Sequence, residues 1–476
     1  MMNNMGGMAG MGGMSSAAAA LAGLDRIGTG ASLASLVKLT NTSQEAGVFR
    51  ATLRAAPVSV GLMKDGTKTD VWAYNATLPG PLIEVMEGDT VEIEFINDLP
   101  QPSTIHWHGL PVPSDQDGNP HDAVVAGGRR LYRFTLPLDC AGTYWYHPHP
   151  HGFTAEQVSR GLAGLFIVRA KNDPLASIPE RHVVFSDIKL NSDGRIADND
   201  MNDVMNGREG QFVLVNAQFQ PVMSFDARGR ERWRIWNANS ARYLRLNLPG
   251  AVFTLVGTDG GLLQSPVTGM TELLLAPAER VEVIVDAPAN GGIVSLVTEP
   301  VERGKMGAFA PDQAITLMKV DFTNARPKGL VALPARLRRI DDLGPVKAQK
   351  RVVFSESMSM AGGMHSMKFL VNGKSFDMKR VDFVSNINEV EMWEIVNKSD
   401  MDHPFHIHGT QFQVIESEVD GKVTKGPYRA WRDMANVKSG EIVRLKMVQS
   451  QKGLRMFHCH ILEHENAGMM GQVKVV

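Results

Sequence analysis

Five His-x-His pairs constrain this chain more than any other feature: His106/His108, His147/His149, His149/His151, His406/His408 and His458/His460. With 14 histidines in 476 residues, chance supplies about 0.4 such pairs. Residues two apart in a strand project to one face. Each pair therefore sets two imidazoles side by side on an extended segment. A lone histidine needs no special account, but five same-face pairs require strands that deliver imidazoles to shared metal ions. The last pair brackets Cys459. If that segment is extended, His458 and His460 face one way and Cys459 the other, so one piece of backbone serves two metal sites.

The pairs ride on a longer repeat. GDTVEIEFIND (88–98), RGRERWRIWNA (228–238) and NINEVEMWEIVNK (386–398) share a polar turn, an alternating strand and an asparagine: Asn97, Asn237 and Asn397. Nine residues after Asn97 comes His106-Trp107-His108-Gly109, and nine after Asn397 comes His406-Ile407-His408-Gly409. The same offset from Asn237 reaches Leu246 and Leu248. Gly142 and Gly453 each precede a histidine pair by five residues. Short alternating runs broken by Gly, Pro, Asn and Asp dominate, and helical periodicity is scarce. The chain reads as all-β, built of Greek-key β-sandwiches. Three related domains fall at 45–170, 171–325 and 345–476. Residues 326–344 form a linker, and 1–44 form a Met- and Gly-rich flexible segment. The first and third domains carry the metal ligands, and the middle one is a spacer.

Ligand chemistry narrows the metal. Cys459 offers a thiolate, His464 an imidazole and Met469 a thioether. With a second imidazole from elsewhere they make a blue-copper electron-transfer site. The eight imidazoles of the four pairs at equivalent positions in domains 1 and 3 are too many for one ion. They fit three metals sharing a cavity between those domains, with open positions for a small ligand. Zinc prefers closed tetrahedral sets and gains nothing from a Cys–His–His–Met site; copper is the better match. A net charge of −2 gives no attraction to nucleic acid or to an anionic membrane. No apolar run reaches the ~18 residues of a membrane span. Cys140 is then a small buried residue. Met2, Met5, Met8, Met11 and Met14 recur among Gly and Asn, a composition that is disordered and suited to weak Cu(I) capture. The stretch 15–24 lacks a basic flank and does not read as a signal peptide.

HWHG (106–109), HPHPHG (147–152), HPFHIHG (403–409) and HCHILEHENAGMM (458–470) resemble the four copper signatures of the three-domain, laccase-like multicopper oxidases. The resemblance covers about residues 45–476 and is closest in character to the bacterial copper-efflux (cuprous) oxidases. It implies cupredoxin-like domains and four copper ions. The type 1 copper would be held by His403, Cys459, His464 and axial Met469, and the type 2 copper by His106 and His406. One type 3 copper would take His108, His147 and His460; the other would take His149, His408 and His458. Electrons would pass from substrate to type 1 copper, through Cys459 to His458 and His460, and on to O2, giving two waters. Asp117 and Glu465 would relay protons. His151 would stand beside the ligands, and His121, His182 and His365 have no role. The methionines of ESMSMAGGMHSMKF (Met358, Met360, Met364 and Met367), with Asp400, Met401 and Asp402, are candidate Cu(I) contacts. The substrate is expected to be Cu(I), or else a small phenol or aromatic amine. The protein is expected to be a periplasmic or otherwise extracytoplasmic monomer serving copper homeostasis.

Overall fold

The three repeats around Asn97, Asn237 and Asn397 do one mechanical job. Each asparagine ends a strand and is buried. Each turns its Nδ2 onto backbone carbonyls of the following loop and of a neighbouring segment: Gln101 and Val124, Arg242 and Leu275, Met401 and Val437. Each Oδ1 accepts from the N–H two residues on, at Leu99, Asn239 and Ser399. A buried loop has backbone groups that water cannot reach, and one amide side chain satisfies three of them.

In a computed structural model these repeats stand in three successive cupredoxin-like β-sandwiches. It describes residues 23–307, 312–327, 329–361 and 364–476, without the side chains of 359–366. The first sandwich packs two four-stranded sheets; the second and third each pack a six-stranded against a five-stranded sheet. The strands that position the site are β1 (Thr90–Asn97), β2 (His106–His108) and β3 (Gly142–His147) in the first domain. The middle domain supplies β4 (Arg230–Asn237) and β5 (Arg280–Asp286). The third supplies β6 (Ala348–Ala361), β7 (Met364–Val371), β8 (Val390–Asn397), β9 (His403–Ile407), β10 (Met434–Val437) and β11 (Gly453–Cys459). The helices used below are single turns or little more: α1 (Thr154–Ser159), α2 (Met201–Asn206) and α3 (Leu462–Asn466). Among the described residues no helix is long and apolar enough to cross a membrane.

Alternation sets the cores. β1 buries every second residue, placing Val91, Ile93 and Phe95 inside, and β8 does the same with Trp393 and Ile395. Register then brings histidines together. β2 pairs antiparallel with β3, His106 opposite His147. β9 pairs antiparallel with β11, His406 opposite His458 and Phe405 opposite Cys459. Because the period is two, a slip of one residue would turn every ligand to the wrong face.

Residues 23–44 depart from the flexible segment expected from composition. Ile27 is buried and bridges to Met63, Ser32 bridges to Val222, and Lys38 to Leu82. The stretch is a strap across the first two domains, pinned by Ile27, Leu33 and Leu36, which pack on their cores. The methionine run at 2–14 lies outside the described residues. Cys140 is buried with its Sγ donating to the Pro137 carbonyl.

Candidate metal centres

Cys459 ends β11, and its sulfur faces His403 at the start of β9 and His464 on α3. His403 Nδ1 lies 3.3 Å from Cys459 Sγ and 3.3 Å from His464 Nδ1, which is 4.0 Å from the sulfur. The other ring nitrogens are committed. His464 Nε2 donates to the Met205 carbonyl of α2 at 3.1 Å, and His403 Nε2 pairs with Ser399 Oγ at 2.7 Å. That fixes the rings with Nδ1 toward the sulfur, as metal-ligating imidazoles are fixed by their second nitrogen. Burial holds His403 down to about 3 and pushes the Cys459 thiol up. A neutral imidazole is ready to ligate, and a thiol that resists ionisation in a dry site is one whose thiolate a bound cation stabilises. Phe369 of β7 stacks on His464 at 3.8 Å. Met469 is buried in the same core; its carbonyl accepts from the Cys459 N–H.

On the other side of this backbone is a dry cluster of imidazoles from domains 1 and 3. His106 Nε2 lies 3.4 Å from His406 Nε2. Both rings donate Nδ1–H to backbone, to the Asp117 carbonyl at 3.0 Å and the Asp433 carbonyl at 2.8 Å. Two Nε2 lone pairs therefore face each other with no proton to share, an arrangement that a cation between them relieves. His149 and His408 each bring Nε2 up to Nε2 of His458, at 3.2 and 3.3 Å, and His458 is itself fixed by donating Nδ1–H to the Cys459 carbonyl. A third set remains. His108 Nδ1, His147 Nε2 and both nitrogens of His460 are buried without any hydrogen-bond partner. An unpaired buried polar atom costs about 1–3 kcal/mol, so four of them beside one another mark a ligand's place. The described donors within mutual reach include His106–His108–His147, His106–His406–His408, His149–His408–His458 and His403–Cys459–His464. These donor sets fit metal ions that prefer imidazole and thiolate.

Carboxylates line the cluster. Asp117 is fully buried, with Oδ1 3.2 Å from His106 Nδ1 and Oδ2 3.4 Å from His408 Nδ1. Glu465 lies 3.5 Å from His149 Nε2 and 3.3 Å from His458 Nδ1, and burial pushes its carboxyl up to about 8. Asp433, unremarked in the sequence, touches His108 and His406.

The remaining candidates divide. Met358 is exposed and stands opposite the half-buried Met367 in the β6–β7 hairpin. Met360, Met364 and His365 lie outside the described side chains. Asp400 is exposed, and Asp402 accepts from Asn436 and Ser439. Met401 is no surface contact: it is fully buried, its Sδ 3.3 Å from Arg303 Nη1. Asn397 Nδ2 pulls in the Met401 carbonyl and folds the loop so that this side chain joins the core. A guanidinium beside the thioether also repels a second cation. His151 packs on Phe376 at 5.1 Å, His121 pairs with the Met378 carbonyl, and His182 pairs with Glu180.

A cysteine–bis-histidine site backed, through one strand, by an imidazole cluster between two β-sandwiches defines a copper protein of several linked sites. Residues 59–173, 184–320 and 349–476 each match a family described as multicopper oxidase. The fold is similar to that of a multicopper oxidase from Campylobacter jejuni, described as a metallo-oxidase, with 46% identity over 95% of this chain and 96% of that one and a TM-score of 0.90. Multicopper oxidase mco of Staphylococcus aureus is 33% identical over 426 residues, 86% of this chain and 85% of the relative. A laccase from Bacillus subtilis is 26% identical over 483 residues, covering 86% and 91%. The chain belongs to the multicopper oxidases, enzymes that use O2 and a reducing substrate. Its cofactor is copper, and its donor groups suit four ions.

Proposed function

We propose that this enzyme is a cuprous oxidase, taking Cu(I) as its reducing substrate at an extracytoplasmic site of copper detoxification. One type 1 copper would be held by His403, Cys459, His464 and Met469, and a type 2 copper by His106 and His406. The two type 3 ions would take His108, His147 and His460, and His149, His408 and His458. Bound copper supplies reversible one-electron chemistry, so that four electrons and four protons convert one O2 to two waters.

The chain's own residues do the rest. Cys459 is joined by backbone bonds to His458 and His460, which gives a covalent route between the two sites. Separating electron entry from the O2 site keeps partly reduced oxygen away from the substrate. Asp117, against His106 and His408, and Glu465, against His149 and His458, would relay protons to the reacting site through their carboxyl oxygens. Apolar packing around Cys459 excludes water from the electron entry point.

One observation carries the substrate reading. The hairpin that pairs Met358 with Met367 runs on along β7 to Phe369, whose ring lies on His464. Thioethers are soft donors that select Cu(I), and this hairpin brings them to the edge of the electron entry site. The Campylobacter jejuni relative described as a metallo-oxidase supports the same reading. The laccase relative favours a second reading, oxidation of small phenols or aromatic amines. Turnover of Cu(I) and of 2,6-dimethoxyphenol by one copper-loaded monomeric sample, with and without residues 358–367, separates them. Deletion is expected to lower Cu(I) turnover and raise phenol turnover; unchanged Cu(I) kinetics would overturn the assignment.

A further inference from the structure

Two stacked ring pairs cross the boundary between domains 1 and 3. His106 lies on His408 at 3.6 Å and 16°, and His108 lies on His406 at 3.7 Å and 15°. Each pair is closed by one buried carboxylate. Asp117 sits against His106 and His408; Asp433 Oδ1 sits 3.1 Å from His108 Nε2 and 4.0 Å from His406 Nδ1. Each carboxylate is backed by a buried arginine. Arg455 Nη1 is 3.3 Å from Asp117 Oδ2, and Arg280 grips Asp433 with Nη1 at 2.7 Å and Nη2 at 2.5 Å. Each HxHG glycine makes room for the charge opposite. A Cβ on Gly109 would land on Asp433 Oδ2, and one on Gly409 would land on Arg455 Nη1. The arrangement has an approximate twofold, which the arginines break. Arg455 comes from the third domain, whereas Arg280 comes from the middle one, which carries none of the histidine pairs.

Resting on the copper-ligand reading above, we propose that Arg280 and Asp433 form a positioning pair through which the middle domain sets the trinuclear site. Asp433 accepts from His108 Nε2, which leaves His108 Nδ1 as the lone pair turned into the cluster. The backbone carbonyl of the same residue fixes His406. Arg280 in turn is fixed completely. Its five N–H donors go to the carbonyls of Thr143, Ala278 and Asp259 and to both oxygens of Asp433. A planar fork with every donor used has no second orientation, so neither has the carboxylate that it holds. One guanidinium thereby ties domain 1 (Thr143), domain 2 (Ala278 and Asp259) and domain 3 (Asp433) at the point where the ligands meet.

The test compares wild-type holoenzyme with Arg280→Lys, Asp433→Asn and the double variant Arg280→Met/Asp433→Leu. The double variant replaces a buried ion pair by apolar groups of similar size, a change that folded proteins often tolerate. Partners that orient metal ligands typically carry about 10–100-fold in metal affinity. Chelator competition is therefore expected to show a loss of that size at the trinuclear site of the double variant, with the thiolate-to-copper absorption of the type 1 site unchanged. The EPR spectrum of the copper held by His106 and His406 should also change. Arg280→Lys keeps the charge with three donors, and its copper affinity should fall between wild type and the double variant. A double variant that melts like wild type and binds cluster copper equally well overturns the proposal. Should it not fold, equal affinity in Asp433→Asn does the same. Wild-type protein that takes up no cluster copper would instead defeat the ligand reading itself.

Discussion

Cys459 shows how much one residue carries. Its sulfur lies in a dry pocket with two neutral imidazoles, and its neighbours on either side in the chain reach the other site. Cys459→Ser swaps a soft donor for a hard one at nearly the same volume. It is expected to abolish the thiolate-to-copper absorption and cost one copper ion per chain. O2 consumption with any reductant should fall to background. In the metal-free protein the buried hydroxyl should destabilise by about 1–3 kcal/mol, measurable by chemical denaturation. Retention of the absorption band would show that the sulfur is not the ligand. The ligand types were legible in the sequence because copper chemistry selects them by softness and a strand spaces them by two. Asp433, Arg280 and Arg303 were not. Asp433 meets His108 across 325 residues of chain, Arg280 meets Asp433 across 153 and Arg303 meets Met401 across 98, and no spacing rule links such residues. The burial of Met401 was not legible for a different reason: it lies between two acidic residues, Asp400 and Asp402, and it is the local Asn397 turn that folds its side chain into the core.

At the scale of strands and turns, the HxHG motifs need glycine for reasons beyond backbone freedom. Gly109 has φ +83° and Gly127 φ +74°, but nothing lies within 4 Å of a Cβ built at Gly127. Gly127→Ala should therefore cost only the positive-φ penalty, about 1–2 kcal/mol. Gly109→Ala adds a collision with a carboxylate that Arg280 holds in place, and overpacking contributes about 1–3 kcal/mol more. Denaturation midpoints should separate the two variants, and Gly109→Ala alone should weaken copper binding at the cluster. Equal effects would mean that Asp433 yields easily and that the pair is not rigid. The strands themselves were the most legible part, since alternation and the Asn-ended repeat both reflect local chemistry. The strap at 23–44 escaped notice because its few apolar anchors, Ile27 among them, are too widely spaced to show a period.

On the scale of the whole molecule, the ligands divide the domains unevenly. The first and third domains meet at the imidazole cluster, and the middle domain supplies no histidine to it. Anything that binds the folded state alone stabilises it by RT ln(1 + [L]/Kd), about 4 kcal/mol at a thousandfold excess over Kd. For copper shared between domains 1 and 3, that free energy belongs to their association. A three-domain chain need not unfold in one step. Calorimetry of the holoenzyme and the copper-stripped protein should then show transitions that shift unequally. Those of the outer domains should fall on removing copper. The transition of the middle domain should move less, since its apolar core, built around Val183, Trp233, Leu246 and Phe322, contains none of the ligands. Its ties to the third domain include Arg280 to Asp433, Tyr243 to Asn436 and Arg303 to Met401, and one of them, the Met205 carbonyl to His464, reaches a ligand directly. A uniform shift of every transition would mean that these ties transmit copper binding to the whole chain. A middle-domain transition that stays put would locate the metal's contribution where the four histidine pairs meet.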